Sequence, residues 1–168
     1  MIKVYTANRP PLSDYSTVDV LNNIRKDEIK YIADQTGNHW RKVFNVYAKI
    51  VFALADKSNN SKVLALKTWQ GYRDECLLQN GSETELYFDN PLSQKGMHQF
   101  DGQGIRIVMG KGYAEVLLSG IDLSWVDADF AINERERVIV CPYFDYRQLS
   151  NLKIERLVNF VWEMINEG

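Results

Sequence analysis

The residues best equipped for chemistry lie near the end of the chain, in Arg137 to Asn151, which reads RVIVCPYFDYRQLSN. Tyr143, Phe144, Asp145, Tyr146 and Arg147 crowd aromatic and charged groups into a few residues. Rings in a loop either cover the edge of a core or stack on something flat. A guanidinium beside them suits bidentate contact with a phosphate. A second candidate is Gly110-Lys111-Gly112. If this turn hands a strand over to a helix, free N–H groups, the helix dipole and Lys111 together suit an anion. The spacing is not that of a P-loop, because no glycine lies five residues ahead of the Gly-Lys pair and Gly112 stands where Ser or Thr is needed. Glycines there would equally let a helix pack closely on a sheet.

The remaining reactive side chains are sparse. His39 and His98 are the only histidines, too few and too scattered for a metal site. His39 reads as a first-turn helix residue and His98 as a loop residue. Asp127 and Asp129 read as a solvated acidic loop. Cys76 and Cys141 have no disulfide-framework spacing and read as two buried thiols in a reducing compartment. No cofactor is called for.

These residues need elements to position them. Val138 to Cys141 is a continuous apolar run, as in a strand buried on both faces, and Pro142 stops it. Ser150 or Asn151 caps a helix that puts Ile154, Leu157, Val158, Val161 and Met164 or Ile165 on one face. Ile105 to Met109 predicts another strand, and Tyr113 to Leu118 a helix. Ile2 to Val4 opens a first strand that ends at Asn8-Arg9-Pro10-Pro11. The spacing Ser16/Asp19 resembles a capping box opening a helix through Val18, Leu21 and Ile24. Ile29, Ile32 and Ala33 resume its apolar face, and Gly37 ends it. Trp40, Val43, Phe44, Tyr47, Ile50, Val51 and Leu54 form the clearest helical stripe, with Asn38 as its N-cap. Leu66 to Leu77 predicts a further helix closing at Asn80-Gly81, with a strand from Val63 as the alternative. Thr84, Leu86 and Phe88 alternate as a short edge strand. Asn90 to Gln103 reads as irregular, and Trp125 to Ile132 as ambiguous.

Strands alternating with helices predict a single α/β domain over residues 1–168: a three-layer α/β/α sandwich with a mainly parallel sheet. A net charge of −2 disfavours a general coat on DNA, while leaving room for a local basic patch. The longest uncharged apolar run, Ile50 to Ala55, is far too short for a bilayer, and no apolar run of signal-peptide length opens the chain. A cytoplasmic protein without membrane contact is expected.

Several short segments, in order, resemble the uracil-DNA-glycosylase superfamily, especially its mismatch-specific uracil/thymine branch. They are Thr6-Ala7-Asn8-Arg9-Pro10, Gly37-Asn38-His39-Trp40, Val108-Met109-Gly110-Lys111-Gly112, Val140-Cys141-Pro142-Tyr143 and Leu149-Ser150-Asn151-Leu152. The resemblance implies a uracil-DNA-glycosylase-like fold and Asn8 as the residue that positions a water for glycosidic cleavage. Arg9 separates Asn8 from Pro10, where that family has the two adjacent. Cys141 replaces an Asn or His, and Tyr143-Phe144 replaces a Ser-Gly or Ser-Pro. The chain as a whole also reads as a member of an uncharacterised bacterial family.

Three functions follow as expectations. The favoured one is a binding module for a nucleobase or nucleic acid that keeps the fold but has lost the chemistry. The second is an N-glycosidic-bond hydrolase acting on DNA or a nucleoside, with Asn8 placing the water and Tyr143, Phe144 and Arg147 touching the substrate. The third is an anion- or nucleotide-binding enzyme working from Gly110 to Gly112, with Lys111 as its cation. The expected partners are nucleic acid or a nucleobase-containing small molecule.

Overall fold

In the computed structural model, which describes residues 1–88 and 104–167, the chain begins with strand β1 (Ile2–Thr6), buried at every position. A short 3-10 turn at Ser13–Tyr15 leads to β2 (Val20–Leu21), then to α1 (Glu28–Thr36), α2 (Asn38–Lys57), α3 (Ser61–Leu64) and α4 (Trp69–Glu75). Next come β3 (Thr84–Phe88), β4 (Ile105–Met109), α5 (Lys111–Leu117), β5 (Ser124–Trp125), β6 (Ala131–Asn133), β7 (Val138–Cys141) and α6 (Asn151–Asn166). The stretch expected to be irregular, Asn90 to Gln103, lies outside the described residues, as does His98.

Among the described residues the strands form one seven-stranded sheet in the order β2-β3-β1-β4-β7-β6-β5. Its centre, β3-β1-β4-β7, is parallel, and β4 and β7 are neighbours as expected. The sheet is nevertheless mixed rather than mainly parallel, because β2, β6 and β5 join antiparallel to their neighbours. Short connections impose this at the β7-β6-β5 edge. The turn 134–137 between β6 and β7 is too brief for a crossover and permits only antiparallel pairing.

Side chains alternate across the strands and so divide the core. Ile2, Val4, Leu86, Phe88, Ile105, Ile107, Met109, Ile139 and Cys141 face one way, against buried residues of α1, α2, α4 and α6. Tyr5, Val108, Val138 and Val140 face the other way, against Ala114, Leu117 and Leu118 in and just after α5. Helices therefore cover both faces. α2 is the central strut of the larger layer. Trp40, Phe44, Tyr47 and Val51 are buried as expected, and the Tyr47 hydroxyl lies 2.9 Å from the carbonyls of both Ile2 and Glu85.

Four local expectations are corrected. No helix starts at Ser16: its hydroxyl donates to Ser13 O at 2.8 Å, while Arg9 Nε donates to Val18 O and the Arg9 guanidinium pairs with Asp19, each at 2.8 Å. Thus held, the segment runs extended into β2, which covers the outer edge of β3, so β3 is an interior strand rather than an edge. Asn38 is the first residue of α2 and not its cap; Gly37, at φ +80°, ends α1 and begins α2 in one residue. The helix expected from Leu66 to Leu77 is broken at Lys67, whose φ is +67°. Thr68 then starts α4 as an N-cap, its hydroxyl accepting from Gly71 N–H at 3.0 Å. Val63 belongs to α3, capped by Asn60, so the alternative strand does not form. No described helix is long and apolar enough to cross a membrane.

Candidate functional site

In chain order the parallel strands are β1, β3, β4 and β7, yet β1 stands between β3 and β4. The chain therefore leaves β1 toward one side of the sheet and β4 toward the other. Its connections lie on opposite faces, α2 among them on one and α5 on the other. Loops that part in this way open a crevice at the carboxyl ends of the strands, where open α/β sheets bind ligands. Asn8 follows β1, Lys111 follows β4 and Tyr143 follows β7, so all three sit at that end. Asn8 is exposed. Lys111 is exposed too, with its ammonium 4.7 Å from the centre of the Trp125 ring. α5 is only seven residues long. Gly110, at φ +98°, makes the turn that lets it start directly from β4.

The best-defined cluster at this end joins three separate elements. His39, in the first turn of α2, places Nε2 3.0 Å from the Tyr143 hydroxyl, and the two rings stack at 5.4 Å and 29°. Beneath them Thr6, the last residue of β1, is fully buried. Burial raises the Tyr143 pKa, and the neighbouring Thr6 hydroxyl offsets part of that rise. Among the described residues Thr6 Oγ1 itself has no partner in full hydrogen-bond geometry. Trp40 fixes the turn carrying His39, because its indole packs edge-on to Phe88 at 5.7 Å, at the same end of the sheet.

The loop after β7 is set by Asp145. One of its carboxylate oxygens accepts from Arg147 N–H at 2.8 Å and the other meets Lys42 Nζ at 3.2 Å. The Arg147 N–H, with Lys42 assisting, holds the Asp145 carboxyl below its ordinary value. This turn sends consecutive side chains apart. Phe144 points inward, fully buried and edge-on to Tyr47 at 6.1 Å, so its ring is core and not a surface for substrate. Tyr143 is half-buried, while Tyr146 and Arg147 are exposed.

Clefts flank α2 on the layer outside this edge. One of about 230 Å³ is lined by Asn38, Arg41, Lys42, Asn45, Val46, Lys49 and Tyr146, with no carboxylate among them. Another, of about 370 Å³ between α1, α2 and α4, has cations and carboxylates that pair off, as in Lys26–Glu75, Lys30–Asp34 and Arg73–Asp74.

Two expectations about reactive groups change. Asp127 and Asp129 are not merely solvated: they bind Arg156 at 2.6 Å and Lys153 at 2.9 Å, tying the β5–β6 hairpin to α6. Cys141 is fully buried, but Cys76 is only half-buried; desolvation pushes both thiols up, away from nucleophilic use. Among the described residues no group of three or more His, Cys, Asp or Glu converges on one point. His39 and Lys42 are the members of this region that sequence reasoning missed. A histidine in a first helical turn carries no local signal of a tyrosine 104 residues away.

A family model matches residues 1–162, and the chain belongs to that family, DUF6942, a family of unknown function. No curated protein and no solved structure matches the chain.

Proposed function

We propose that this member of the DUF6942 family binds a nucleobase-containing ligand at the carboxyl end of its parallel strands. The observation that carries the reading is the His39–Tyr143 ring pair, held at that end beside the loop bearing Asn8. A flat base stacks on exposed His39, the Tyr143 hydroxyl orients the imidazole, and the Asn8 amide meets the polar edge of the base. The resemblance to uracil-DNA glycosylases points to the same class of ligand and to the same Asn8. It also favours binding over hydrolysis. Arg9, which interrupts the Asn-Pro pair of that family, is committed here to Val18 and Asp19.

The test has two arms. Uracil and uridine are titrated into the protein by NMR and calorimetry, alongside His39→Ala, Tyr143→Phe and Asn8→Ala. Loss of a single stack at His39 should weaken binding by about 1–3 kcal/mol. Uracil- and mismatch-containing oligonucleotides are then assayed for free base. Saturable binding without release supports the binding module. Release that disappears in Asn8→Ala would replace it with the hydrolase. Absence of binding to uracil, uridine and the oligonucleotides at low salt overturns the reading.

A further inference from the structure

The cleft on the outer face of α2 adds a chemical requirement that the ring pair does not. Arg41, Lys42 and Lys49 line it, the amides of Asn38 and Asn45 add donors, and Tyr146, 54% exposed, forms a wall. Clustering of cations in a chain of net charge −2 is a local arrangement, not an overall bias. Their charge is only partly cancelled. Arg41 meets Asp34 at 3.3 Å, but Asp34 is shared with Lys30. Lys42 meets Asp145 at 3.2 Å. Lys49 pairs with no carboxylate among the described residues; its ammonium lies 5.1 Å from the centre of the Trp69 ring. The neighbouring cleft between α1, α2 and α4 lacks this surplus, because its charges pair with one another.

This basic cleft adjoins the ring pair. Asn38 and Lys42, which line it, flank His39 on the same helix, about one turn or 6 Å apart along the axis. Tyr146, its wall, is on the same loop as Tyr143. We infer that the ligand is a nucleotide bearing a terminal phosphate monoester, with the phosphate in the Arg41–Lys42–Lys49 cleft and the base at His39 and Tyr143. A monoester carries about −1.5 to −2 charge near neutral pH and offers acceptor oxygens on several sides. It therefore suits clustered cations better than the single charge of an internal diester. Arg41 supplies a planar fork, Lys42 and Lys49 point charges. The monoester belongs either to a free mononucleotide or to the phosphorylated end of a strand. The inference rests on the nucleobase reading above, but its failure is separable from the failure of that reading.

The experiment compares uridine, uridine monophosphate, inorganic phosphate, and a short single-stranded oligonucleotide with and without a terminal phosphate, by calorimetry and NMR at low salt. The monophosphate should bind at least about tenfold tighter than uridine, and this advantage should shrink as salt is raised. Lys49→Gln and Arg41→Gln, both on the outer face of α2, should remove most of that advantage and leave uridine affinity unchanged. A terminally phosphorylated oligonucleotide matching the monophosphate assigns the ligand to strand ends; one binding no better than its unphosphorylated form assigns it to free nucleotides. Equal affinity for uridine and its monophosphate, or a Lys49→Gln variant that binds the monophosphate as wild type does, overturns the inference and leaves the nucleobase reading standing. Inorganic phosphate shifting the cleft resonances while uridine produces no change overturns the nucleobase reading and, with it, the assignment of the ligand as a nucleotide. A glutamate-rich peptide competing as well as the monophosphate would make the cleft a general acidic-partner surface, which also overturns it.

Discussion

Tyr47→Phe tests the strut that holds the proposed site together. The substitution removes one hydroxyl and almost no volume, so it isolates a polar contact from packing. That hydroxyl is fully buried, 2.9 Å from the carbonyl of Ile2 on β1 and 2.9 Å from that of Glu85 on β3. A hydroxyl has one proton to donate, so the two carbonyls share it and the contact counts as about one hydrogen bond. An ordinary hydrogen bond contributes about 0.5–1.5 kcal/mol net, and leaving buried acceptors without a donor costs about 1–3 kcal/mol. Water cannot reach a residue of zero exposure to replace it. The expected loss is therefore about 2 kcal/mol, or a fall in Tm of about 4–8 °C for a domain of this size. Urea unfolding followed by tryptophan fluorescence reads it, with an unchanged m-value as evidence that the denatured state is not the cause. Phe44→Ala, a cavity at an equally buried position on the same helix, should cost about 3–5 kcal/mol and sets the scale. A loss below about 0.5 kcal/mol for Tyr47→Phe would refute the argument, because α2 would then be held by packing alone.

Other consequences concern pH and backbone geometry. Burial raises the pKa of Tyr47, Tyr72 and Cys141, so the folded chain keeps protons that the unfolded chain releases from about pH 8.5 for Cys and about pH 10 for Tyr. Their stabilisation is thus complete below those values and declines as pH rises; the urea midpoint should hold between pH 7 and 8, fall above about pH 9, and contradict this account if flat to about pH 11. Asp127 is held below the ordinary carboxylate range, first by the Asp129 N–H and then by Arg156. Carbon-detected NMR titration should show it moving back up in Arg156→Gln, and an unmoved titration would mean that the salt bridge does not persist in solution. Gly71→Ala should destabilise although alanine favours helices by about 1 kcal/mol, because the added Cβ would lie 2.7 Å from the Leu66 carbonyl oxygen. A stabilised variant in urea unfolding would show that α4 shifts freely.

Much of the fold is legible in the order of residues because its strongest signals are local. The stripe from Trp40 to Leu54 predicts α2, and the apolar run from Val138 to Cys141 predicts β7, since each pattern repeats at the period of the element it builds. Proline and glycine mark where they stop. Local patterns fail where a distant side chain outbids them. Ser16 and Asp19 spell a helix start, but Arg9 claims the Val18 carbonyl and the Asp19 carboxylate, and the segment becomes β2. Trp125 to Ile132 becomes β5 and β6 only because β7 offers an edge for β6 to pair with. The site divides along the same line. Sequence alone marks the loops after β1, β4 and β7 as carriers of Asn8, Lys111 and Tyr143. Only the parallel pairing of β1, β4 and β7 decides that those loops share one end of the sheet. Tertiary packing alone sends Phe144 into the core and sets His39 against Tyr143. It also brings Tyr146 against the face of α2 on which the helical period already aligns Arg41, Lys42 and Lys49. Side-chain direction within a loop follows from what the loop packs against, and no spacing along the chain encodes that.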